Sequence, residues 1–148
     1  MLEKKMLTRK LKRLKEGDAG HWRMENTAGY RVFFVGGKEG VSGLDPETGA
    51  LVFKYDTESS VTSQVVAHWN NIYFGCYNGK FYAVNMETRE LKWSMDIGDK
   101  ILSSVPAVSE TLILFGSEDR HFYAVCLDSG EIRWKFKGYG NHSCILLQ

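Results

Sequence analysis

VFFVGGKEGVSGLDPETGALVF, which begins at Val32, is answered by IYFGCYNGKFYAVNMETRELKW from Ile72 and again by LILFGSEDRHFYAVCLDSGEIRW from Leu112. Aligning Gly43 with Ala83 and Ala124 sets the periods at 40 and 41 residues. A fixed period of this size marks a repeat architecture, in which each copy buries its apolar surface only by stacking on the next. Inside each copy the apolar residues come in short β-type runs, such as Thr111 to Phe115, Phe122 to Leu127 and Ile132 to Phe136, and no helical period fits them. Two turns recur between the runs. Asn78-Gly79 is a two-residue hairpin signal that predicts a type I′ turn, with Glu39-Gly40 in the corresponding place. The second turn is Asp45 to Gly49, then Asn85 to Arg89, then Cys126 to Gly130. A further strand is expected ahead of each complete copy, at Val61 to Ala67 and Ile101 to Val108. Four strands in about 40 residues make one propeller blade.

Outward from the repeats, the chain of 148 residues holds 43% hydrophobic and 25% charged residues, with 15 Gly and 2 Pro, the composition of a soluble, turn-rich β domain. The fold expected is all-β, a partial β-propeller of about three four-stranded blades preceded by a short amphipathic N-terminal helix. Residues 1–17 form the cationic arm, and residues 21–148 form the blades. Their approximate bounds are 22–56, 61–97 and 101–137, followed by the first strand of a further blade at 142–147. In the first 16 residues seven Lys and Arg oppose two Glu, a net +5, so the remaining 12 cations and 16 anions carry −4. That division speaks against a body dedicated to nucleic acid and leaves only the arm to meet an anionic surface.

Eleven positions end each copy: GLDPETGALVF from Gly43, AVNMETRELKW from Ala83 and AVCLDSGEIRW from Ala124. They resemble the tryptophan-docking motif A-x-D-x-x-T-G-x-x-x-W of the PQQ-like propeller repeats found in quinoprotein dehydrogenases and BamB-type assembly lipoproteins. Ser103-Ser104-Val105-Pro106 is similar to the family's innermost-strand segment. The resemblance implies an inter-blade structural role for Trp93 and Trp134, with Phe53 as the substitute in the first copy. It also implies a non-catalytic binding or scaffold module that mediates protein–protein interaction. The alternative is a fragment or subunit of a quinoprotein dehydrogenase, or of a larger enzyme carrying a PQQ-like propeller. Against the motif, Gly43 replaces Ala, Asn85 and Cys126 replace Asp, and Arg89 replaces Gly.

Catalytic, metal and cofactor residues are not expected. The oxygen-ligand cluster of a calcium-quinone site is missing from the sequence, so no cofactor is assigned. His21, His68, His121 and His142 lack paired ligand spacing, and Gly36 to Gly40 lacks the spacing of a phosphate loop. Cys76, Cys126 and Cys144 are odd in number and far apart, which points to free thiols in a reducing, cytoplasmic setting. No apolar run is long enough for a transmembrane segment. Three blades cannot close a ring of the usual kind, so a protein partner or self-association through open blade edges is expected. The partner edge is assigned to Cys144, Ile145, Leu146 and Leu147, joined head to tail to a first blade read as poor in strands.

Overall fold

The computed structural model describes residues 21–23, 31–101 and 106–138. The expected N-terminal helix and the expected strand 142–147, with Cys144, Ile145, Leu146 and Leu147, lie outside these residues, as do Ser103 to Val105.

Every described element is a strand. The first blade comprises β1 (His21–Arg23), β2 (Arg31–Gly37), β3 (Gly40–Leu44) and β4 (Leu51–Asp56). The second comprises β5 (Val66–His68), β6 (Asn71–Gly75), β7 (Lys80–Asn85) and β8 (Leu91–Asp96). The third comprises β9 (Ala107–Val108), β10 (Leu112–Gly116), β11 (His121–Cys126) and β12 (Ile132–Lys137). Each blade is a four-stranded antiparallel sheet whose strands pair in chain order. The first blade is therefore not poor in strands, because β1 pairs with β2 through His21↔Phe33 and Arg23↔Arg31. The innermost strand of the second blade is shorter than expected: β5 begins only at Val66, and Val61 instead makes an isolated bridge to Cys76, as Ile101 does to Ser117.

Alternation along the strands sends successive side chains to opposite faces, and stacking buries both faces of the middle blade. Val32, Phe34, Val41 and Phe53 of the first blade meet Ile72, Phe74, Cys76, Tyr82, Val84 and Met86 of the second. Tyr73, Phe81, Ala83 and Trp93 of the second meet Ile113, Phe115, Tyr123, Val125 and Leu127 of the third. In that second seam the Phe81 and Phe115 rings stack at 4.0 Å. The register shift between Ala83 and Val84 recurs between Gly43 and Leu44 and between Ala124 and Val125, so each third strand meets its fourth through the same irregularity.

The Asn78-Gly79 turn differs from the expected type I′. Only Gly79 has positive φ, at 87°, and the Gly79 amide donates to the Cys76 carbonyl at 3.1 Å. The loop is thus Tyr77-Asn78-Gly79, three residues closed by Cys76 and Lys80, with glycine at the left-handed place. Asn78 instead contributes its side chain, whose Oδ1 accepts from the Lys80 amide at 3.2 Å.

Candidate functional site

The turns between the third and fourth strands lie where neighbouring blades meet, and their chemistry positions the seams. Asp45 Oδ1 accepts from the amides of Glu47 and Thr48, and Asn85 Oδ1 accepts from those of Glu87 and Thr88. A short carbonyl-bearing side chain at this position replaces a missing backbone partner, which is the physical reason for Asp or Asn there. Cys126 occupies the same place in the third blade. The Ser129 hydroxyl, followed by the amides of Ser129 and Asp128, favours its thiolate and pulls its pKa down to about 7. Burial pushes the other described thiol, Cys76, up to about 11.

Each turn closes on a residue with positive φ: Gly49 at 71°, Arg89 at 61° and Gly130 at 74°. What stands over that residue differs between the seams. Trp93 lies over Gly130, so close that a Cβ added there would come within 2.7 Å of the indole. The Trp93 Nε1–H donates to the Leu127 carbonyl at 2.8 Å, and Lys92 Nζ stands 3.3 Å from the Asp128 carboxylate. In the other seam Phe53 meets Arg89, whose guanidinium lies 5.7 Å from the ring centre. The departures Phe for Trp and Arg for Gly thus fall on the two sides of one contact. Trp134 stands on β12, 46% exposed, with Ile132 and Phe136 exposed beside it.

A groove of about 630 Å³ opens along the seam between the second and third blades. It is lined by Trp69, Asn70, Asn71, Asn85, Leu127 and Asp128, among others, and Glu90, Glu110 and Asp128 outnumber Lys92 around it. Tyr73 closes the floor, its hydroxyl kept protonated because burial raises its pKa to about 12. His68 and Asn71 pair across the β5–β6 hairpin, leaving Trp69-Asn70 as a two-residue loop. Trp69 has φ of 53° and is 60% exposed. It stands where a type II′ turn takes glycine. A bulky residue held in the left-handed region costs about 1–3 kcal/mol, and such strain gathers at binding and switch sites.

Sequence reasoning did not single out Trp69. Its signal was available in His68-Trp69-Asn70-Asn71, a tryptophan inside a polar hairpin loop where the third copy has Glu110-Thr111. The histidines are placed apart: His68 is buried beside Trp69, and His121 Nδ1 lies 3.5 Å from the Asp119 carboxylate. Asp119 also accepts from the Tyr123 hydroxyl. Among the described residues no group of three or more His, Cys, Asp or Glu could hold a metal ion.

The sequence family described as outer membrane protein assembly factor BamB matches residues 37–143. Among solved structures, BamB from Moraxella catarrhalis aligns with a TM-score of 0.67 at 16% identity, over 95% of this chain and 39% of that one. A quinohemoprotein alcohol dehydrogenase from Pseudomonas putida HK5 aligns with a TM-score of 0.58 at 19% identity, over 80% of this chain and 19% of that one. The computationally designed Ika8 protein gives a TM-score of 0.66 at 16% identity, over 80% and 37%. No curated protein matches. The chain spans under two-fifths of each of these structures, and at these identities the likeness is one of fold.

Proposed function

Since the chain belongs to the PQQ-like repeat family described as outer membrane protein assembly factor BamB, we propose that it is a non-catalytic propeller module that binds protein segments, with the groove beside Trp69 as its recognition surface. One observation carries the reading: a tryptophan is held exposed, in a backbone conformation that disfavours it, beside a groove lined by amides and carboxylates. Exposed Trp and Tyr rings give large contact area at low entropic cost, and polar groups around them fix the register of an extended peptide. Because three carboxylates face one lysine, the preferred segment is cationic, with a Lys or Arg placed over the indole.

The alternative, a piece of a quinone-dependent enzyme, asks for a calcium site and a catalytic carboxylate. Among the described residues no group of three or more His, Cys, Asp or Glu is placed to hold such a metal ion.

The test uses extended peptides of matched length carrying two Lys, two Glu or neither, titrated against the full chain while Trp emission is followed. Saturable binding that favours the Lys peptide and is lost in Trp69→Ala supports the reading. Equal binding by Trp69→Ala, or no binding by any peptide, overturns it. Stoichiometric binding of quinone with Ca²⁺ would favour the enzyme alternative.

A further inference from the structure

The two ends of the described stack carry the two halves of a contact that the molecule already makes once inside itself. At the seam between the second and third blades, three interactions join β8 to the turn after β11. Trp93 packs over Gly130, its Nε1–H reaches the Leu127 carbonyl at 2.8 Å, and Lys92 meets Asp128 at 3.3 Å. The repeat register carries each of these residues one blade further. Trp93 becomes Trp134 and Lys92 becomes Arg133, both exposed on β12. Gly130 becomes Gly49, Leu127 becomes Pro46 and Asp128 becomes Glu47, all exposed on the turn after β3. Gly49 keeps the left-handed φ of Gly130, 71° against 74°, and among the described residues nothing stands within 4 Å of where its Cβ would be.

The correspondence is selective. The seam between the first and second blades keeps none of the three interactions: Phe53 has no N–H to donate, Val52 replaces the lysine and Arg89 fills the place of the glycine. The open ends therefore match the tryptophan seam and not the phenylalanine seam. Each carries a charge of the right sign, since Arg133 stands at the place of Lys92 and Glu47 at the place of Asp128. Apolar surface continues the match, because Phe136 on β12 and Val35 on β2 are both exposed, whereas Phe74 and Phe115, at the place of Val35 in the later blades, are fully buried.

We propose that the chain self-associates head to tail, with Trp134 of one copy seated over Gly49 of a second copy, its Nε1–H on the Pro46 carbonyl and Arg133 on Glu47. The contact is heterologous, so it either closes or propagates. The described residues of two copies bring six four-stranded sheets together, within the roughly four to eight blades that close a propeller ring. Closure explains how apolar strands at both ends leave water together. The surface lies on the turn and on β12, distinct from residues 142–147, and this inference stands independently of the peptide groove.

The test follows the mass of the full chain by sedimentation equilibrium from micromolar to 0.1 mM concentrations, with circular dichroism to verify folding. The wild type is expected to associate, and its Trp134 to become protected from iodide as it does. Gly49→Arg reproduces Arg89, a side chain that the fold accepts at this φ, and it should weaken association by at least about tenfold. Adding Trp134→Phe recreates the Phe53–Arg89 pairing and should restore association in part. A wild type that stays monomeric at 0.1 mM overturns the proposal. So does a Gly49→Arg chain that associates like the wild type, or a double variant no better than Gly49→Arg alone. A chain that remains monomeric but binds a separately added PQQ-like blade assigns the seat to another partner and likewise overturns self-association.

Discussion

Trp93 and Trp134 occupy the same register of two equivalent four-stranded sheets, opposite Ala83 and Ala124, yet one is 9% exposed and the other 46%. Their strands, LKWSMD and IRWKFK, share the pattern of residues, and both belong to a hairpin with the same irregularity. The difference arises outside the strand. Trp93 has a turn with glycine to cover and a carbonyl to receive its N–H, while the described residues offer Trp134 neither. In a stacked array the worth of a side chain is set by its nearest-neighbour interface, and a terminal interface is worth only what a partner brings.

The largest effect that would break this comparison is truncation of the two indoles. In the Gly49→Arg background, which isolates the chain from the proposed self-contact, Trp93→Ala should cost about 3–5 kcal/mol of unfolding free energy. Trp134→Ala in the same background should cost about 0.5 kcal/mol or less. Urea unfolding of the two variants measures both, and equal losses would show that position in the sheet, rather than the covering blade, decides the energy.

A smaller effect sharpens the point that the tryptophan and the glycine form one unit. Gly130→Arg places a side chain where the indole now sits, and should destabilise the chain by about 2 kcal/mol. Trp93→Phe added to it should return about 1 kcal/mol, because the pair then matches Phe53 and Arg89. Strict additivity of the two substitutions in a double-mutant cycle would mean that the two seams do not differ for this reason.

The smallest effect concerns the turns on which the seams rest. The hydrogen bonds that lower the Cys126 pKa to about 7 favour its thiolate, so the thiolate fraction rises as pH passes upward through neutrality. In a Cys144→Ser chain, iodoacetamide should label Cys126 with a midpoint near pH 7, while Cys76, buried and pushed up to about 11, stays unlabelled below pH 9 in the folded state. Cys126→Asp should keep the turn, since Asp45 holds the equivalent turn with the same two amides. A Cys126 midpoint near pH 9 would show that the third turn is not held as the first two are.

The sequence by itself determined the repeat, its period, the β class and the positions of the recurring turns. These follow from local chemistry: alternation with period two, Asx side chains satisfying nearby amides, and glycine where φ is positive. It also marked Phe53, Trp93 and Trp134 as equivalents. The tertiary structure alone decided that they are not equal, because burial depends on which sheet stacks next and on which residue, Arg89 for Phe53 or Gly130 for Trp93, stands in the facing turn 36 or 37 residues along the chain. Trp69 escaped notice for a related reason, since its strain is a property of a closed two-residue hairpin and its groove exists only once the second and third blades are stacked. Local rules can name a turn; only packing between distant segments decides which side chains it hides and which it leaves to meet another molecule.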